Sequence, residues 1–388
     1  MRTVYPVGTT LYEPDACSNG YNLISGADGV KLVDMNGQTA HFWSVDPDKR
    51  RGFIHRARLL ENGMLMLLFG GVDRRNWGVV EFDWDGNETW SFEPEHYPHH
   101  DFWPKDNGNV LLICQDAVPE TVTAKITDPE RRSEIILEDY LIEVTREGRI
   151  VWRWNQHEHL DINKCNKVPA SRDWPAGKDN NTITDWTHTN TIQALPENRW
   201  SDSGDTRFRP GNVLISMRQL DTICIVDRES HEIVWSYTGD YRGGLSGQHE
   251  PHMIEKGLKG AGNIIVFDNG ASPQKDLAHC GCSYVLEIDP STKEAVWAYD
   301  KGDRFYSRFT ANCQRLPNGN TLILEALSRR LFEVTPEKEL VWEHVLTDNA
   351  QRVYRYPYDH SPQTAALPTP ELLRVVPPER LVVEPQRD

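Results

Sequence analysis

Tryptophan recurs along this chain in a pattern that one compact core would not need. HFW ends at Trp43, ETW at Trp90, IVW at Trp152 and again at Trp235, AVW at Trp297 and LVW at Trp342. Before each stands an apolar run carrying an acid, then a turn: KLVDMNG, VVEFDWDG, YLIEVTREG, CIVDRESH, VLEIDPSTK and LFEVTPEK. Such self-similarity marks a repeat architecture. Upstream lies a second element, seen in ENGMLML, DNGNVLLI, PGNVLISM, AGNIIVF and PNGNTLIL. Asn-Gly and similar pairs tolerate positive φ and favour tight turns. One unit therefore reads strand, turn, strand, loop, strand, acidic turn, Trp strand. A single four-stranded sheet leaves both faces wet, whereas six stacked about an axis bury them. The repeat predicts an all-β chain, a six-bladed β-propeller of four-stranded antiparallel blades, with the six tryptophans between blades.

A length of 388 residues ordinarily suggests two domains. Blades add up to one closed unit, so residues 1–360 are read as a single propeller. The first unit, residues 8–45, is short, and VYRYPYD (residues 353–359) is expected to help close the ring. A polar insertion over residues 156–185 is expected over one mouth of the channel, since loops of that length are usually functional or disordered. Residues 361–388 read as an extended, Pro-rich tail, and WSDSGDTRFRPG (residues 200–211) as a solvated loop. HCGC (residues 279–282) reads as a hairpin with buried thiols rather than a chelate.

The net charge of −16 argues against nucleic acid, which is held by basic patches, and against an anionic membrane surface. It leaves room for an aromatic or anionic small molecule, because a local positive site can sit inside a negative field. Oligomeric state is left open. The N-terminus lacks the basic start and apolar stretch of a secretory leader, and no window reaches the ~20 apolar residues of a membrane helix. The seven cysteines follow no framework spacing. A cytoplasmic location is expected, or a periplasmic one if a leader has been removed.

In a propeller the innermost strands face the channel, and the loops at its mouth carry function. Here the inner strands begin GFIHRARLLENG, YPHHDFWPKDNG, DWTHTNTIQALPEN, GQHEPHMIEKG and RFTANCQRLPNG. Four of the five carry histidine: His55, then His99 and His100, then His188, then His249 and His252. Ring symmetry puts them at one level around the axis. Asn190 follows His188 by two residues, so regular strand alternation would place both on one side. Arg218, in SMRQ, suits bidentate recognition of sulfate, phosphate or carboxylate.

WTHTN, GNVLISMRQLDTICIVDRESHEIVW, GQHEPH, GNIIVFDNG and QRLPNGNTLILEALSRRLFEVTP together resemble the arylsulfotransferase family, as does the stretch from GTTLYEP through KLVDMNG. The resemblance covers roughly residues 8–358. It implies a six-bladed propeller that moves a sulfuryl group from an aryl sulfate to a phenol through a transient sulfohistidine. Carried over by motif, His249 in GQHEPH is the nucleophile. His188, Asn190 and Arg218 hold sulfuryl oxygens, and His100 or His99 completes the ring and handles the phenol proton. His55 and His252 join the substrate-binding set, and no cofactor is needed. GQHEPH carries Glu250 where many relatives have Asp. The chemistry is sound, because a neutral imidazole is a good nucleophile and positioned donors stabilise charge on the transferring oxygens.

Two other classes stay open. Imidazoles with nearby carboxylates also hold divalent metals, so His55, His100, His188 and His249 are alternatively ligands of a metal-dependent lyase, hydrolase or oxygenase. A non-catalytic, ligand-binding propeller is the third reading. Trp103, Trp186, Phe305, Tyr306 and Phe309 either line an aryl pocket or pack blades.

Overall fold

A computed structural model of the chain describes residues 6–45, 53–70, 77–129, 131–164, 183–271 and 281–377. Residues 165–182 of the insertion, His279 and Cys280 of HCGC, and the tail beyond residue 377 lie outside the described residues.

Six antiparallel sheets form the expected six-bladed propeller. Blade 2 runs Phe53–Leu59, Leu65–Gly70, Gly78–Phe82 and Glu88–Phe92 from the channel outward. Blade 3 runs Tyr97–Pro104, Val110–Ala117, Ile135–Val144 and Ile150–Asn155. Blade 4 comprises Thr189–Ala194, Val213–Met217, Thr222–Val226 and Ile233–Tyr237. Blade 5 comprises His249–Met253, Ile264–Asp268, Tyr284–Asp289 and Glu294–Asp300. Blade 6 comprises Asn312–Arg315, Thr321–Glu325, Arg330–Val334 and Leu340–Val345. Blade 1 takes Tyr21–Gly26, Gly29–Val33 and Thr39–Ser44 from the N-terminal region. Its innermost strand is Val353–Tyr356, paired antiparallel with Tyr21–Ile24. The ring is thus closed by VYRY, as the sequence predicts.

Three local readings are corrected. Gly8–Tyr12 does not belong to the first unit; it adds a fifth, outer strand to blade 6 by pairing with Trp342–Val345. The loop at residues 200–211 is more than solvated polar chain. Phe208 in it is fully buried, and the Trp200 indole donates to Gly262 O at 2.7 Å, tying blade 4 to blade 5. The start of the tail is not extended throughout. Pro362–Ala365 forms one helical turn with a reciprocal Ser361–Thr364 capping box, and Val375 bridges back to Tyr12. No helix among the described residues is long and apolar enough to cross a membrane.

The six repeat tryptophans have one job. Each indole N–H donates to a backbone carbonyl in the acidic turn of the next blade. Trp43 reaches Asp83 (3.1 Å), Trp90 Arg146 (2.8 Å) and Trp152 Arg228 (3.1 Å). Trp235 reaches Pro290 (2.8 Å), Trp297 Pro336 (2.9 Å) and Trp342 Met35 (2.8 Å). The bulky ring fills the interface while its one polar atom is satisfied. The acid in the repeat phrase serves the same joints. Glu81 pairs with Arg146 (2.5 Å), Glu143 with Arg228 (2.7 Å) and Glu287 with Arg315 (2.7 Å).

Candidate active site

At one level around the channel, the inner strands of blades 2 to 5 break register with their neighbours. The breaks fall between Ile54 and Arg56, Pro98 and Phe102, Thr189 and Thr191, and His249 and His252. A bulge leaves residues out of the ladder and re-aims their side chains. His100 and Glu250 within these breaks, and His188 just before the blade 4 strand, have φ of 61°, 54° and 49°. The left-handed region costs a non-glycine residue of order 1–3 kcal/mol, and such strain gathers at functional sites. The bulges break the alternation that was to set His188 beside Asn190. Asn190 Nδ2 donates instead to Gln248 O at 2.8 Å, using one of its two N–H bonds as a strut between blades.

His249 is buried and clamped. Its Nδ1–H faces Asn269 Oδ1 at 2.7 Å. Asn269 cannot turn, because its Nδ2 donates to Ser307 O (2.7 Å) and Thr310 O (2.9 Å). The tautomer is therefore set, and Nε2 carries the lone pair. Burial first, then the charges of Arg352 and Arg218, push the His249 pKa well below its ordinary value, so the ring is neutral at neutral pH.

The other histidines form an arc. His100 stands 4.6 Å from His188 and 5.6 Å from His55, ring centre to ring centre. His188 Nδ1 is bound by Asp185 Oδ2. His100 Nδ1 meets His99 Nδ1 at 2.6 Å, and His99 Nε2 meets Asp139 Oδ1 at 2.9 Å. A chain Asp139–His99–His100 results, in which His99 donates to the carboxylate and accepts from His100. Burial raises the cost of ionising Asp139, but His99 and hydrogen bonds from the Thr189 backbone N–H and the Thr187 hydroxyl hold its carboxyl below the ordinary value. His55 Nε2 lies 3.2 Å from the Tyr97 hydroxyl. Burial, helped by neighbouring cations and imidazoles, depresses the pKa values of His55 and His100. His252 stands apart, two ladder steps further along the strand, with Nδ1 at 3.2 Å from Glu250 O.

Arg218 opens the short turn after the second strand of blade 4, its backbone N–H donating to His188 O at 3.3 Å. Its guanidinium makes no hydrogen bond or ion pair among the described residues. Burial lowers its pKa, and Asp185 and Asp221 oppose that shift at longer range. Directly after His55 and His249 in the chain, Arg56 and Glu250 enter a buried ionic cluster that no sequence motif announced. Arg56 Nη2 donates to Glu250 Oε1 at 2.6 Å, and Arg56 Nε lies 3.1 Å from Asp101 Oδ1. Arg58 adds a bond to Asp101 at 3.2 Å, and Arg352 and Tyr354 both bind Glu250. Burial opposes ionisation of Glu250, but Arg56, Arg352 and Arg58 hold its carboxyl far below the usual carboxylate range. Three guanidiniums against two carboxylates leave this cluster with one positive charge.

Of the aromatic candidates, Trp186 and Phe305 are core residues and Trp103 covers Arg58 at 4.4 Å. Phe309 is 48% exposed, as is Phe53 at 51%, and Phe53 touches the His55 ring at 4.3 Å. Among the described residues no three or more of His, Cys, Asp and Glu are arranged to hold a metal ion. Asp185 and Asn269 were legible in principle, one three residues before His188 and the other inside FDNG. Asp139 and Arg352 carried no local signal.

The arylsulfotransferase family model matches residues 56–347. No curated protein matches the chain in sequence. Among solved structures, a protein of unknown function from Bacteroides caccae is 12% identical, with a TM-score of 0.50, over 87% of this chain and 98% of its own. A virginiamycin B lyase from Staphylococcus aureus is 9% identical, with a TM-score of 0.45, over 88% and 89%. The first likeness concerns the fold alone.

Proposed function

The chain belongs to the arylsulfotransferase family, and from that premise we propose that it transfers a sulfuryl group from an aryl sulfate to a phenol through His249. One observation supports this most. A neutral imidazole with its Nδ1–H locked on Asn269 stands within the field of Arg218, a cation without a partner among the described residues.

In the first half-reaction His249 Nε2 attacks sulfur. The S–N bond forms, the bond from sulfur to the aryl oxygen breaks, and the phenolate leaves and takes a proton from solvent. Arg218 and His188 hold the sulfuryl oxygens, with the remaining Asn190 N–H as a further donor. In the second half, an acceptor phenol gives its proton to His100 as its oxygen attacks sulfur. The new S–O bond forms, the S–N bond breaks, and His249 returns to its neutral form. The Asp139 carboxylate, through His99, stabilises the positive charge that His100 gains. His100 then releases the proton to solvent.

The test pairs 4-nitrophenyl sulfate turnover, with and without a phenol acceptor, with elemental analysis of the purified protein. Acceptor-dependent nitrophenol release by metal-free protein, abolished in His249→Ala without loss of fold, is the expected result. Stoichiometric metal with no release would overturn the reading and make the histidine arc a metal site. Trapping a +80 Da adduct, roughly one sulfuryl group, on the peptide bearing His249 would identify the intermediate directly.

A further inference from the structure

We propose that Arg352, carried into the channel by the ring-closing strand, is a second oxyanion-binding cation of the site, so that the site is complete only when the C-terminal strand is docked. The inference rests on the reading of this mouth as a sulfuryl-transfer site. Family membership assigns nothing to Arg352, because the matched residues end at 347.

Arg352 immediately precedes Val353–Tyr356, the innermost strand of blade 1. Arg352 stands at the start of its inner strand much as His55 and His249 do in blades 2 and 5, so blade 1 contributes an arginine where those blades offer histidine. The side chain is 2% exposed. Its Nε is held by Glu250 Oε2, and its Nη2 donates to Asn190 O at 2.7 Å. Both partners lie in bulges, Asn190 two residues after His188 and Glu250 directly after His249. The remaining Nη1 makes no hydrogen bond among the described residues.

Charge supports the same conclusion. A guanidinium serving only Glu250 would be redundant, since Arg56 and Tyr354 already bind that carboxylate. The Arg352 charge acts on His55, His100 and His249 alike, so its field reaches imidazoles of three blades. Arg218 acts on His249 from blade 4. An oxyanion between them meets two fixed cations, whose positive fields also keep the nucleophile unprotonated. Arg is suited to this, because its planar fork can keep two bonds to the protein and offer a third N–H to a tetrahedral oxygen.

The experiment measures binding of inorganic sulfate, by calorimetry and by thermal shift against chloride at equal ionic strength. Wild type is compared with Arg352→Lys and with the double variant Glu250→Gln/Arg352→Gln, which removes both charges of the pair and so avoids a lone buried carboxylate. The expected result is sulfate stabilisation of wild type, weakened several-fold in the lysine variant and at least about tenfold in the folded double variant, the scale of losing one charge-assisted hydrogen bond. If the double variant does not fold, the lysine variant decides alone. Unchanged sulfate affinity in the folded variants, or no sulfate binding by wild type, overturns the proposal. Sulfate binding that depends on Arg352, without any aryl sulfate turnover, would sink the proposed reaction and leave the anion site standing.

Discussion

At the scale of residues, the site is set by partners that fix tautomers. Asn269 determines which nitrogen of His249 is nucleophilic, because its own amide is anchored to two backbone carbonyls. Asn269→Ala should lower kcat by about tenfold to a hundredfold with little change in KM, the usual cost of losing the group that orients a histidine. Asn269→Asp should move the acid limb of the pH–rate profile upward, because a carboxylate favours the imidazolium. Single-turnover kinetics across pH check both. Folding also depresses the proton affinity of buried His55, His100, His249 and His252, and burial with Arg355 pushes His344 down to about 4. The unfolded chain then binds more protons once pH falls through about 6.5, so stability drops below that pH by about 1.4 kcal/mol per unit for each such group until its folded value is reached. Glu250 works in a lower window. Its folded carboxyl is depressed, so its contribution persists above about 4.3 and fades only beneath it. Thermal denaturation from pH about 7.5 to about 5 should show Tm falling mainly below pH about 6.5, and a flat Tm would mean that these imidazoles titrate alike in the folded and unfolded chain.

At the scale of elements, the blade-to-blade joint is the unit of stability. Each repeat tryptophan buries a large ring and closes one hydrogen bond to the following blade, as Trp342 does with Met35 O. Trp342→Phe retains most of the apolar fill and should cost about 1–2 kcal/mol, chiefly the orphaned carbonyl. Trp342→Ala leaves a cavity as well and should cost about 3–5 kcal/mol. Urea denaturation distinguishes the two. No loss in the phenylalanine variant would show that the indole N–H contributes nothing, and equal losses would show that the ring's fill contributes nothing. The bulges are the other element-level device. They interrupt the inner ladders at one height and so turn ordinary strand residues into channel residues.

At the scale of the whole molecule, the chain closes on itself twice. Val353–Tyr356 completes blade 1 from the inside, and Gly8–Tyr12 extends blade 6 from the outside. Both closures join sequence-distant segments, so they couple the ends of the chain to the channel. A chain ending at residue 350 leaves Tyr21–Gly26 without its inner partner and removes Arg352 and Tyr354 from Glu250. It should lose the single cooperative thermal transition of the full chain, whereas Val375→Ala, at the Tyr12 bridge alone, should shift Tm only slightly. Differential scanning calorimetry reads both.

The sequence by itself determined the repeat, and with it the architecture. Six Trp phrases with acidic turns and Asn-Gly hairpins can bury their faces only by stacking about an axis, so blade count, interface residues and the closing strand were legible. It also placed histidine at matching points of four blades, because a period carries positions along with it. Only the tertiary structure decided what surrounds those histidines. Asp139, Asp185 and Asn269 reach them across 40, 3 and 20 residues of chain, and Arg352 reaches Glu250, beside His249, across 102. Except for Asp185, no local pattern links such pairs. The bulges likewise escaped strand periodicity, because one extra residue reverses the alternation on which that reasoning depends. A period fixes where residues lie around the ring, while burial, charge pairing and tautomer depend on which distant side chains closure brings against them.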